Sequence, residues 1–303
     1  MRVVEVTELG GPEVLQVAER PEPEAGAGQV VVRVRAANVN PTDLGARAGH
    51  GRAGPEPPFV LGWDLAGDVT AVGEGVSEFE PGDAVVGMIQ WYDQQGSVGA
   101  YAESVAVDAE WVVPMPGSLG YETAATIPLN AVTAREGMEL LDPPPECDLL
   151  VTGAGGGVGG FAVQLAVARK HHVIALAGRD DEDWPEELGA EEVLPRDTDL
   201  STINPVPAVF DAVPIGEAAL DAIEEGGAVV TTRRQPEADP ARRIRQESFL
   251  ISPNREALRA MVGAVEAGEL QTRIDRVLPL AEAAEAHRLV EAGGLQGKVV
   301  LTP

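Results

Sequence analysis

Asp148-Leu149-Leu150-Val151-Thr152-Gly153-Ala154-Gly155-Gly156-Gly157-Val158-Gly159-Gly160 is the stretch on which the reading of the fold turns. Its first five residues have a continuous apolar centre, with Pro143-Pro144-Pro145 before them and glycines after, the pattern of a strand buried on both faces. Val158 to Arg169 follows, where Phe161, Ala162, Leu165, Ala166 and Ala168 recur at helical spacing, and Val173-Ile174-Ala175-Leu176-Ala177 repeats the buried-strand pattern. Strand, helix and strand in that length form a βαβ unit, with a right-handed crossover and parallel strands. Glycines between strand and helix let the backbone turn sharply, approach a diphosphate and pack helix on strand, while helix N-terminal amides face the phosphate charge. A glycine loop alone also fits a flexible turn. Its place between a buried strand and an apolar helix predicts dinucleotide binding through Gly153, Ala154, Gly155, Gly156, Gly157, Val158 and Gly159. Two registers compete, Gly155-x-Gly157-x-x-Gly160 and one through Ala154, Gly156 and Gly159.

The tip of the second strand selects the cofactor. An acid about 20 residues beyond the loop would bind the adenosine ribose hydroxyls and indicate NAD. Gly178-Arg179 stands at the tip instead, leaving room for a 2′-phosphate and offering a guanidinium to pair it, so NADPH is expected. The plain alternative is that Arg179 balances Asp180, Asp181, Glu182 and Asp183 on a solvated surface, and those acids would repel phosphate.

Working outward, further strands are predicted at Val209-Phe210-Asp211-Ala212-Val213, Ala228-Val229-Val230-Thr231 and Phe249-Leu250-Ile251, with helices between, an alternation that specifies a doubly wound α/β domain. The first hundred residues differ: short β-branched runs such as Val30 to Val34 and Gly67 to Val72 are punctuated by glycine and proline, as in a partly closed β-barrel. The tail, Gly297-Lys298-Val299-Val300-Leu301, lies too far from the Rossmann run to continue it and is expected to rejoin the first domain. Residues 1–118 and 254–303 are therefore assigned to the barrel domain and 119–253 to the Rossmann domain, which suits a 303-residue chain better than one core does.

Composition excludes several functions. The formal charge of −27 repels nucleic acid and anionic lipid, and no stretch approaches the ~20 apolar residues of a membrane span. The start, Met1-Arg2-Val3-Val4-Glu5-Val6, reads as a strand rather than a signal peptide, so a cytoplasmic location is expected. Cys147 is the sole cysteine, and His50, His171, His172 and His287 show no zinc-hydrolase spacing, so no metal site is predicted. Lys170 and Lys298 are the only lysines. Codon bias would account for arginine replacing lysine but not for the excess acid, which favours a protein working in high salt, where self-repulsion is screened.

Several motifs in order along the chain resemble the medium-chain dehydrogenase/reductase superfamily, in particular its zinc-lacking quinone oxidoreductase branch, also called zeta-crystallin-like. They are Ala36-Ala37-Asn38-Val39-Asn40-Pro41-Thr42-Asp43, Pro58-Phe59-Val60-Leu61-Gly62-Trp63-Asp64-Leu65-Ala66-Gly67, Val72-Gly73-Glu74-Gly75-Val76, Pro81-Gly82-Asp83, Gly99-Ala100-Tyr101-Ala102-Glu103, Pro128 to Ala134, the glycine loop and the terminal Gly297 to Leu301. The resemblance implies a GroES-like β-barrel catalytic domain plus a doubly wound Rossmann domain, and association into a homodimer through Rossmann sheet edges. Zinc-bearing relatives place a cysteine where Asn40 falls and a histidine where Trp63 falls.

Without a Lewis acid, conjugate reduction of an activated carbonyl compound is the chemistry implied: NADPH hydride attacks a quinone or enone, and a donor must meet the charge growing on oxygen. Asn40 occupies the family's active-site asparagine position; its plain alternative is a turn residue. Asp43 would orient backbone or a substrate hydroxyl, or pair with Arg47 on the next turn. Thr133 would touch the nicotinamide carboxamide, or bond its own helix backbone. Trp63, Trp91 and Tyr92 would line an aromatic substrate pocket, or simply pack. Gly45 stands where relatives often carry a tyrosine, so the expected proton donor is missing. The alternatives kept open are a reductase of an alkenal or enoyl thioester, and a non-catalytic NADPH-binding redox sensor.

Overall fold

A computed structural model describes residues 1–50, 54–94, 98–233 and 236–303. The β-branched runs form β1 (Arg2–Val6), β2 (Leu15–Glu19), β3 (Gln29–Asn38), β4 (Phe59–Val60), β5 (Asp64–Val72), β6 (Ala84–Met88), β7 (Ser104–Asp108) and β8 (Val112–Pro114), with helix α1 (Pro41–Ala48) after β3. Helices α2 (Tyr121–Ala125) and α3 (Pro128–Leu141) lead to β9 (Asp148–Thr152), α4 (Gly157–Ala168), β10 (His172–Ala177), α5 (Asp183–Glu187), β11 (Glu192–Pro195), β12 (Val206–Asp211), α6 (Glu217–Asp221), β13 (Ile223–Thr231) and β14 (Arg245–Ser248). The chain ends with α7 (Arg255–Glu266), β15 (Ile274–Pro279), α8 (Ala283–Ala292) and β16 (Lys298–Thr302).

Contacts divide the chain into two units, Met1–Leu129 with Ser252–Glu269 and Arg273–Pro303, and Asn130–Ile251 with Leu270–Thr272. The change of pattern placed the first boundary at 118; in the structure it falls after Leu129, because α2 packs on β3 and β5 of the first unit.

In the first unit β3 is the spine. One edge pairs along its length with β5, while the other is shared: Gln29 to Arg33 pair with β7, and Ala37 and Asn38 with β16. The tail thus docks against the end of β3, where burial extends to a polar residue, Asn38. A three-stranded sheet, β2-β1-β4, completes the unit.

The second unit is an all-parallel sheet in the order β11-β10-β9-β12-β13-β14. The order reverses between β9 and β12, and a ligand crevice opens beyond the strand C-termini at such a point. Leu150, Leu176, Val209 and Val229 belong to its buried core, which accounts for their continuous apolar runs. Two strands depart from the sequence reading. β11 is short and only partly buried, and the sixth strand is Arg245–Ser248 rather than the apolar Phe249-Leu250-Ile251. An edge strand buries little, so its polar residues carried no signal, and Leu250 is 71% exposed.

Candidate active site

The first unit's polar centre is built by register. Asn38 stands opposite Asp64, the first residue of β5, and opposite Val300, two residues beyond Lys298. A carboxylate removed from water needs donors from the protein. Asp64, fully buried, receives three, from Asn38 Nδ2 at 3.0 Å, Asn40 Nδ2 at 2.8 Å and the Leu129 amide at 2.9 Å. Asn40 Oδ1 in turn accepts from Asn38 Nδ2 at 2.9 Å and Lys298 Nζ at 3.0 Å.

Asp43, in the first turn of α1, accepts the Asn40 amide at 2.8 Å and the Gly62 amide at 3.0 Å. Gly62 has φ +107°, and a Cβ there would lie 2.8 Å from the Ala100 nitrogen, so only glycine fits. Arg47 does not pair with Asp43. It donates to Gly10 O and to His287 Nδ1 and pairs with Glu291. Because Arg47 can only donate, His287 carries its proton on Nε2, facing the Tyr101 hydroxyl at 3.1 Å, and burial holds its pKa down at about 3. This buried trio fastens α1 to α8.

Burial pushes the Asp43 carboxyl up to about 8 and Asp64 to about 6, against the hydrogen bonds that favour their ionised forms. Burial lowers Lys298 to about 8, against the attraction of Asp64 and Asp43.

Asn40 and Asp43 are both fully buried, and the Asn40 amide nitrogen is turned to Asp64. Of the roles expected for Asp43, the structure shows the orienting of backbone: both its oxygens accept backbone amides. Trp91 is corrected: it is fully buried, and its indole N–H is satisfied by Val60 O at 2.7 Å. Trp63, 5% exposed, packs on Trp91 at 4.6 Å between ring centroids, leaving half-buried Tyr92, 5.5 Å from Trp63, as the member with accessible surface.

In the second unit the glycine loop sits at the order reversal. Gly153 turns with φ +60°, Gly156 caps α4, and a Cβ on Gly159 would lie 2.2 Å from Gly153 O. Gly157 is as tightly enclosed, a Cβ there lying 2.5 Å from Asn130 Oδ1, whereas Gly160 has nothing closer than 3.4 Å, so both registers contain glycines that the packing requires. Thr152 Oγ1 donates to Asp211 at 2.6 Å, tying the ends of β9 and β12 together. Thr133 Oγ1 is buried with no hydrogen-bond partner among the described residues, so it does not bond its own helix. A bare glycine cradle at the start of a twelve-residue helix, together with an orphaned hydroxyl, fits a bound dinucleotide.

At the strand tips, Asp197 holds Arg179 through both oxygens at 2.9 Å, and within the run 180–183 Glu182 adds a weaker attraction. Arg196 Nη2 lies 2.8 Å from where a Cβ of Gly178 would be, and Asp181 Oδ2 lies 2.1 Å from where a Cβ of Gly155 would be.

The first unit's β-rich domain and the parallel sheet with its glycine cradle define the architecture of a nicotinamide-dependent dehydrogenase or reductase. Residues 26–117 match the model for an alcohol dehydrogenase GroES-like domain, and 188–301 that for a zinc-binding dehydrogenase. The chain is 31% identical to a quinone oxidoreductase of Lama guanicoe over 99% of this chain and 97% of that protein. It is 30% identical to a chloroplastic NADPH-dependent alkenal/one oxidoreductase of Arabidopsis thaliana over 98% of this chain and 78% of the other. The crystal structure of Escherichia coli quinone oxidoreductase complexed with NADPH superposes with a TM-score of 0.87 at 25% identity, covering 100% of both chains. The chain belongs to the medium-chain dehydrogenase/reductase superfamily, in its quinone oxidoreductase branch.

Sequence reasoning assigned no role to Asn38, Asp64, Lys298 or Arg196. Their convergence depends on strand register, which a linear pattern does not display. The available signal was scarcity: Lys298 is one of two lysines in a chain of net charge −27.

The raised Asp43 pKa makes the native state bind its proton more tightly than the unfolded chain does. Its contribution is complete below about 4 and is lost as pH climbs towards about 8. Urea midpoints of the native protein should therefore fall between pH 5 and pH 8. Asp43→Asn should flatten that slope and, at pH 5, lower stability by about 1–3 kcal/mol through the acceptor it loses. An unchanged slope in the variant would contradict the assignment.

Proposed function

We propose that this protein is a zinc-independent reductase that transfers hydride from NADPH to a quinone or activated enone. The observation carrying this reading is that Asn40 and Trp63, at the positions where zinc-bearing relatives place cysteine and histidine, are accompanied by the protein's own cation, Lys298, 3.0 Å from Asn40 Oδ1. A buried amide and an indole stand in for the zinc-donor set, and the ammonium beside the amide offers a positive charge suited to an oxyanion rather than to a metal. The bound nicotinamide supplies the hydride. The chain's residues bind it through the Gly153 to Gly159 cradle and Thr133 and hold a positive charge for the oxygen. The names of the guanaco and Arabidopsis relatives support the same substrate class.

NADPH is supported by the Arabidopsis and Escherichia coli names and by two guanidiniums, Arg179 and Arg196, at the tips of β10 and β11. One observation favours NADH as a second reading: Asp181 lies against Gly155, where an acid would meet ribose hydroxyls, while Asp197 occupies Arg179. A homodimer joined at the open edge of β14 belongs to the same proposal, supported by the exposure of Leu250 beside that edge.

Absorbance at 340 nm, followed with quinones, enones, alkenals, enoyl thioesters and saturated alcohols, should show NADPH consumed by quinones or enones and unaffected by chelators. Cofactor binding with no turnover would favour a sensor, and chelator-sensitive alcohol oxidation would overturn the reading. Arg196→Ala and Arg179→Ala should each weaken NADPH binding by roughly tenfold with NADH unchanged. Tighter binding of NADH, lost in Asp181→Asn, would establish the second reading.

The 49 acids against 22 lysines and arginines suggest a high-salt working environment. The thermal midpoint should rise between dilute buffer and molar KCl, and equal midpoints would exclude it.

A further inference from the structure

We propose that Lys298 is the proton donor that converts the reduced substrate's oxyanion into product, with Asn40 and Asp64 as its positioning residues. This rests on the reductase reading.

The first argument is accessibility. Asn38, Asn40, Asp43 and Asp64 are fully buried, whereas Lys298 is only partly so, and it is the one member of the cluster with surface to present. The second is free capacity. An ammonium has three N–H groups, and among the described residues only one is used, towards Asn40 Oδ1 at 3.0 Å. The third is aim. The Lys298 amide donates to Arg273 O at 2.9 Å, β16 is paired to both β15 and β3, and Gly297 at φ +146° leaves a Cβ no room, 2.7 Å from the Asp275 nitrogen. The root of the side chain is therefore rigid.

The other tyrosines in the first unit are held apart: Tyr101 is fully buried, its oxygen accepting from His287 Nε2, and Tyr121 donates to Asp68. Tyr92 is the third tyrosine and the rival donor that the test compares with Lys298.

In the step, hydride forms a C–H bond at the enone β-carbon, the C=C pair moves into the adjacent C–C bond, and the carbonyl π pair goes to oxygen. One Nζ–H bond then breaks, its pair staying on nitrogen, and an O–H bond forms. The enol tautomerises in water, and the amine regains a proton from solvent. A quinone becomes its hydroquinone by the same transfer. One substrate, one reduced nicotinamide and one proton are consumed.

The charged groups facing Nζ among the described residues are Asp43 from α1 and Asp64 from β5. Burial depresses Lys298 to about 8 despite both, which suits a donor that must recharge near neutrality.

The test compares native protein, Lys298→Met, Lys298→Arg and Tyr92→Phe, all checked for native circular dichroism, with 1,4-naphthoquinone and an enone. Lys298→Met should lower kcat about 100-fold with KM changed much less, and should erase the alkaline limb of the kcat profile near pH 8. Lys298→Arg should keep the positive charge yet recover little of kcat, because a guanidinium does not release its proton; full recovery by arginine would show that charge alone acts and would overturn the proposal. Independently of turnover, 4-nitrophenol added to protein with NADP should ionise more readily on the native protein than on Lys298→Met, read at 400 nm. A Lys298→Met enzyme within threefold of native kcat and with its alkaline limb intact would overturn the proposal, as would Tyr92→Phe producing those losses instead. If native protein reduces neither substrate, the reductase reading itself fails. The nitrophenol titration still decides whether Lys298 faces an oxyanion.

Discussion

A carboxylate placed where water does not reach must be surrounded by donors, and in this protein Asp64 organises the first unit around that requirement. Its donors come from the end of β3, the cap of α1 and the start of α3, and the acceptor beside it, Asn40 Oδ1, draws in the amine at the start of β16. Residues 38–40, the start of β5, the start of α3 and the start of β16, four segments separated along the chain, are thereby fixed to one point. Asp43 closes the arrangement by bonding the Asn40 and Gly62 amides, and the His287 contacts to Arg47 and Tyr101 hold α1 from behind. Asn38 Oδ1, buried and unpartnered among the described residues, is the one acceptor this arrangement leaves over. Unsatisfied polar atoms concentrate where function competes with packing.

The second unit depends on a steric constraint. Gly159 on Gly153 O allows α4 to begin directly over the end of β9, which turns the helix amides and the bare loop to the same side. The Thr152 to Asp211 bond secures that edge from β12. Charge at the strand tips is less one-sided than the loop. Two arginines and the acids Asp181 and Asp197 share the neighbourhood, so the balance between a 2′-phosphate and a 2′-hydroxyl is set by which ion pairs yield.

The overall acidity gives the few cations particular weight. Many of the described arginines lie in surface pairs such as Arg243 with Glu225, worth little each. Lys298 differs because its partners are buried carboxylates and amides, so its charge is felt strongly within the site and weakly outside it.

The sequence by itself determined the βαβ unit, its glycine loop, the doubly wound sheet and the β-rich first unit, because these follow from local period, burial and turn chemistry, each written over a few neighbouring residues. It also supplied the positions of Asn40 and Asp43, and the reading of Asp43 as a group that orients backbone. Tertiary structure alone decided that Trp91 is core, that Gly159 packs on Gly153 O, that Arg179 is taken by Asp197, and that Lys298 meets Asn40 across 258 positions of chain. Burial, ion-pair choice and strand register arise only when distant segments pack, and no local pattern encodes which donor a buried carboxylate will find.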